Sequence, residues 1–144
     1  MKALRTLIRV NKSKVDDKRR VVMELERLAQ GFLDRLAQLE AESNSEAARV
    51  KAAFDPAIDY GAYIRSVMDR RKRLKASLAE TERQIAAASE EVRLAYAEQK
   101  RFELTLAERE RREAEEAERR DQAATDEVGL NIFRRKAGRK TAPK

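Results

Sequence analysis

The sequence predicts an all-α fold, a two-helix antiparallel coiled-coil hairpin with a longer second helix and a disordered basic C-terminal tail. Three observations predict it. Charged residues make up 41% of the 144 residues and aromatics only 5%, with four glycines and two prolines. That is the composition of coiled coils and long helices, which bury apolar surface along a narrow seam and not in layers. Two long stretches repeat apolar residues at alternating strides of four and three. Folded back at one point, the two repeats match position for position.

The first helix is predicted over about residues 3–52. Its seam runs through Leu4, Ile8, Asn11, Val15, Lys18, Val22, Leu25, Ala29, Phe32, Leu36, Leu39, Ser43, Glu46 and Val50, and ten of these 14 are apolar against 42% for the whole chain. Ile8 takes heptad position a and Leu4 position d. The pattern breaks at Asp55-Pro56, where proline disfavours helix in the residue before it and suits a first helical position. Asp55 is a plausible N-cap, and Asp59 with Gly61 adds a weaker break signal. The reversal is placed at about 53–58.

The second helix is predicted over about 59–127. Its seam is Tyr60, Ile64, Val67, Arg71, Leu74, Leu78, Thr81, Ile85, Ala88, Val92, Ala95, Gln99, Phe102 and Leu106, eleven of 14 being apolar. The stride continues through Arg109, Glu113 and Glu116, where the apolar character stops but helix propensity does not, because 107–124 is nearly all Ala, Glu and Arg. Gly129 is expected to end the helix. The hairpin domain is thus 1–127, followed by a basic flexible tail, 128–144.

In an antiparallel hairpin an a position faces a d position. Facing numbers here sum to 110: Leu4 with Leu106, Ile8 with Phe102, Val15 with Ala95, Leu25 with Ile85, Phe32 with Leu78 and Leu36 with Leu74. Polar Asn11 falls opposite polar Gln99, an amide pair of the kind that fixes register at some cost in stability. Flanking positions bring Lys14 near Glu98 and Glu42 near Arg70, while Glu26 and Glu82 are like-charged neighbours. Exposed pairs are worth about 0.2–1 kcal/mol each, so they tune the register and do not create it. The paired length corresponds to about 70 Å, and residues 107–125 extend about 25–30 Å beyond it.

The net charge of +7 is uneven: +4 over residues 1–53, −3 over 54–127 and +6 over 128–144. Much of the basicity is therefore a short tail, which weakens an argument for nucleic acid from charge alone. Cysteine and histidine are absent, so disulfides, most transition-metal sites and the commonest general base are excluded. No phosphate loop, zinc-protease motif or nucleophile elbow occurs, and a two-helix rod offers no pocket to desolvate a substrate. No enzyme activity and no cofactor are expected. No apolar run is long enough to span a membrane and the first residues do not read as a signal peptide, so the expected location is the cytoplasm.

Three stretches invite a functional reading beside a structural one. The run Arg70-Arg71-Lys72-Arg73 with Lys75 is either a solvated face with interhelical partners or a docking patch for an acidic protein surface. Tyr63 and Val67, with Arg70, are either seam cover or an exposed anchor near the reversal, since aromatics and arginine are the usual hot-spot types. Leu130, Ile132 and Phe133 lie beyond the seam and form either a frayed end or a segment that orders on a partner.

The segments Ile58-Asp59-Tyr60-Gly61-Ala62-Tyr63-Ile64 and Ala95-Tyr96-Ala97-Glu98-Gln99-Lys100-Arg101, and the ending from Asp126-Glu127 to Phe133-Arg134-Arg135, occur in this order along the chain. With the hairpin layout, they make it resemble the flagellar FliJ family, the small coiled-coil component of the type III export apparatus, over nearly its whole length. The resemblance implies a stalk similar to the central subunit of rotary ATPases. It implies three partners: the hexameric export ATPase, the export gate membrane protein and substrate-specific export chaperones. It implies a peripheral position on the inner membrane at the flagellar base. The gate contact would fall on Tyr63, Val67 and Arg70. The ATPase would face the end carrying the N-terminus and the C-terminal overhang, with Arg109, Arg112 and Phe133 as candidate contacts. The competing readings are an export stalk of a virulence secretion system, a generic coiled-coil adaptor, a nucleic-acid-binding hairpin and a homodimer; a monomer is expected.

Overall fold

The computed structural model describes residues 1–53 and 60–141, with side chains to 139. It contains two helices, α1 over Lys2–Ala53 and α2 over Tyr60–Thr141, of 52 and 82 residues, and no strand among the described residues. The hairpin with a longer second helix is therefore the observed fold. The expected reversal at Asp55-Pro56 lies outside the described residues.

Burial follows the heptad reading closely. Every strongly buried side chain, Leu4, Ile8, Asn11, Val15, Ala29, Leu39, Val67, Thr81, Ala95 and Gln99, is a seam position. The other seam positions are half-buried except Ile64, which is exposed near the start of α2. The spacing alone explains this, because strides of three and four keep one stripe of each helix facing its partner.

Two compact units divide the chain. In the unit formed by Val10–Glu98, cross-helix pairs join Lys14 to Glu98 at 4.0 Å, Lys18 to Glu91 at 3.2 Å, and Glu40 to Arg71. As the α1 number rises the α2 number falls, which is the antiparallel register expected. Arg19 also lies over the Tyr96 ring at 5.9 Å, a cation–π contact across the helices. The pair expected between Glu42 and Arg70 is not made. Glu42 accepts a hydrogen bond from Gln38 at 3.2 Å, and Arg70 has no ion pair among the described residues. Exposed side chains choose among partners of nearly equal free energy, so their pairing follows heptad position only loosely.

In the unit formed by Met1–Arg9 with Gln99–Lys144, Leu4 and Ile8 are buried and Arg5 pairs with Glu110 at 3.1 Å. Gln99 directs its amide along its own helix, Nε2 donating to Glu103 Oε1 at 3.0 Å. The helix end expected at Gly129 is corrected: α2 continues through Gly129 and Gly138 to Thr141. Glycine weakens a helix interior by about 1 kcal/mol but ends a helix only where the backbone turns left-handed, and Gly129 keeps a helical backbone.

Asn11 is 6% exposed and its Nδ2 has no hydrogen-bond partner. A buried donor left unmade costs about 1–3 kcal/mol, so Asn11→Val is expected to stabilise the fold by about that amount in urea unfolding. A midpoint at or below that of the parent chain would show that Asn11 is satisfied in solution.

Candidate partner-binding surfaces

The start of α2 carries the first candidate surface, within the Val10–Glu98 unit. Tyr60 and Tyr63 stack with ring centroids 6.1 Å apart and planes 24° from parallel, so the two rings hold each other at the helix start. Tyr63 is half-buried and shares a shallow groove of about 490 Å³ with Ala41, Glu42, Ser45 and Glu46. Arg70 is exposed. Val67 is only 3% exposed, which corrects the expectation of an exposed Tyr63–Val67–Arg70 anchor. Val67 is a seam residue at position d, and the heptad already placed it there. Its side chain sets the phase of the helix on which Tyr63 and Arg70 are presented, and any contact it makes is indirect.

The second candidate surface lies on α2 in the other unit. From residue 107 the helix is held by its own side chains. Arg111 donates to Glu108 from Nη2 at 2.6 Å and from Nε at 3.1 Å, and to Glu115 from Nη1 at 2.6 Å. Arg112 Nε donates to Glu108 at 3.2 Å. These are the i,i+3 and i,i+4 neighbours that support an isolated helix. Arg112 is thus engaged, whereas Arg109 is exposed and has no ion pair among the described residues. Every described side chain from Glu116 to Arg139 is exposed.

Hydrogen bonding from Arg111 is the leading cause that holds the Glu108 carboxyl below the usual carboxylate range; it outweighs desolvation, and Arg112 adds to it. Glu108 therefore stabilises the helix at pH values above the ordinary glutamate value, and the contribution is lost as pH falls through its own lower value. A carboxyl-carbon NMR titration is expected to place the Glu108 midpoint below that of a free glutamate and to move it upward in Arg111→Ala. An unchanged midpoint in that variant would show that the pair does not persist in solution.

Beyond this segment Val128, Leu130, Ile132 and Phe133 are all at least half exposed, Phe133 at 68%. Arg134, Arg135, Lys136 and Arg139 lie on the same helix. Leu104 is 69% exposed, as its outward heptad position off the seam requires. Among the described residues no group of three or more acidic side chains could hold a metal, and no helix is long and apolar enough to cross a membrane.

A family model described as "Flagellar FliJ protein" matches residues 1–138. No curated protein and no solved structure matches the chain.

Proposed function

Because the chain belongs to the flagellar FliJ family and is thereby a component of the flagellar protein export apparatus, we propose that it is the non-enzymatic stalk of that apparatus. It binds the hexameric export ATPase, the export gate membrane protein and substrate-specific export chaperones, and hydrolysis belongs to the partner. The observation that carries this reading is the outlasting of the seam by the helix. The apolar repeat of α2 stops at Leu106, yet the helix runs on to Thr141, with Arg–Glu pairs over residues 108–115 and exposed side chains from Glu116 to Arg139. A ring of subunits that grips a central element needs one that is stiff and polar, and residues 107–139 supply both.

On this reading Arg109, Arg112 and Phe133 belong to the ATPase-facing surface. Tyr63 and Arg70 face the gate, and Val67 positions them from the seam. The chain works in the cytoplasm, peripherally associated with the inner membrane at the flagellar base. The exposed apolar and basic side chains of residues 128–139 meet the partner from a helical backbone. The test is a pull-down of a purified flagellar export ATPase with this chain. Capture that saturates and raises ATPase activity is the expected result, and absence of binding at micromolar concentrations would overturn the reading.

A further inference from the structure

The basic run of α2 does not act as one patch. Arg71, at a seam position, is half-buried and its Nε donates to Glu40 of α1, so its charge is neutralised within the chain. Residues 65, 68, 72 and 75 follow strides of three, four and three, which puts Arg65, Met68, Lys72 and Lys75 on one face. These are heptad positions b and e, which flank the seam on the side of α2 opposite Tyr63 and Arg70 at position g. It is therefore distinct from the Tyr63 surface.

The cations on this face are not neutralised by carboxylates among the described residues. Arg83, Arg93 and Arg111 are each clamped by a carboxylate three residues earlier on the same helix. Arg65, Lys72 and Lys75 have no ion pair among the described residues, and Asp69, although close in sequence, makes none either. Met68 stands among them 57% exposed. Met68, Asp69, Arg71, Lys72 and Lys75 line a shallow groove of about 390 Å³. The face thus combines uncompensated positive charge with a flexible apolar side chain in a concavity, and methionine adapts readily to an incoming apolar group.

We propose that this face of α2 binds an acidic segment of another protein, its carboxylates meeting Arg65, Lys72 and Lys75 and an apolar side chain seating on Met68. The charge selects the class of partner. A flat anionic membrane would gain from the cations but not from the groove, and Asp69 would face its phosphates. Nucleic acid finds no aromatic ring on this face to stack upon.

The test is fluorescence anisotropy on the full chain with a labelled synthetic peptide of Glu-Glu-Leu repeats. A matched peptide of Glu-Glu-Ser repeats and phosphatidylserine vesicles form the other arms. Saturable binding of the leucine peptide is expected, with the serine peptide weaker. Lys72→Glu with Lys75→Glu is expected to weaken binding about tenfold or more. Met68→Ser, which leaves the charges in place, is expected to weaken only the leucine peptide. Arg134→Glu with Arg135→Glu, in the basic segment near the end of α2, leaves binding unchanged, and circular dichroism checks that each variant keeps the parent helicity. The proposal is overturned if the Lys72/Lys75 variant binds as the parent does, or if the Arg134/Arg135 variant loses as much. It is equally overturned if the vesicles, and not the peptide, are the ligand whose binding the Lys72/Lys75 variant loses.

Discussion

Deletion of residues 107–144 is expected to abolish capture of the chain by a hexameric flagellar export ATPase while leaving a folded hairpin. The seam ends at Leu106, so the deletion removes no seam position that is apolar. It removes Glu110, the partner of Arg5, but both side chains are substantially exposed, and such a pair is worth about 0–1 kcal/mol. The remaining chain should keep its helicity per residue in circular dichroism and nearly the same urea midpoint. A shorter deletion, 128–144, separates the paired Arg-Glu helix from the basic, apolar-studded end that carries Phe133. Capture retained by the shorter deletion and lost by the longer one would assign the contact to the neighbourhood of Arg109 and Arg112. Capture undiminished by the longer deletion would remove the ATPase contact from this end altogether.

Val15→Asp is expected to be the most disruptive single substitution. Val15 is 2% exposed and stands on the α1 seam. Of the cations three or four residues away, Lys18 is engaged with Glu91 at 3.2 Å, Arg19 lies over the Tyr96 ring and Lys12 is exposed to water. A carboxylate at position 15 would be buried without a partner, at a cost of about 3–5 kcal/mol. That is a large share of the about 5–15 kcal/mol that holds a typical domain, and a chain of this size loses about 2–4 °C of Tm per kcal/mol. The control is Val10→Asp, the same change in the same helix at a side chain that is 60% exposed, where an effect within about 0.5 kcal/mol is expected. Similar losses at both positions would mean that the seam is not where the folding free energy resides.

The parts of the fold that could be read in the sequence are those governed by a period. A stride of 3.5 residues leaves a signal in every turn, so the seam positions emerge together, and with them the antiparallel register that puts Lys14 beside Glu98. Val67 shows how a correct period can be underused. It stood on the seam, which excluded it from an exposed anchor, yet its neighbours Tyr63 and Arg70 made it attractive as one. What could not be read depends on choices made by single side chains. Glu42 bonds to Gln38 and not to Arg70, and Arg71 turns inward to Glu40, because several partners lie within reach of each flexible chain. The helix end at Gly129 failed for a related reason: a glycine permits a stop, but the left-handed turn that makes one leaves no sequence period. The candidate contacts Arg109 and Arg112 rested on family resemblance, whereas Phe133 also stood out as apolar beyond the seam, and only their surroundings separate the clamped Arg112 from the unpaired Arg109.

The confinement of every strongly buried side chain to one stripe also constrains how the gene for this chain can change in length. Within Val10–Glu98, a single inserted codon turns all later residues of its helix by about 100°, swinging apolar positions into water and charged ones into the seam. Seven inserted codons return the stripe nearly to phase, but they must be matched by seven at the facing point of the other helix, or the number-for-number pairing is lost beyond them. Substitutions can therefore accumulate freely on the outer faces. Changes in length come only as paired heptads, or in residues 116–139, where every described side chain is exposed.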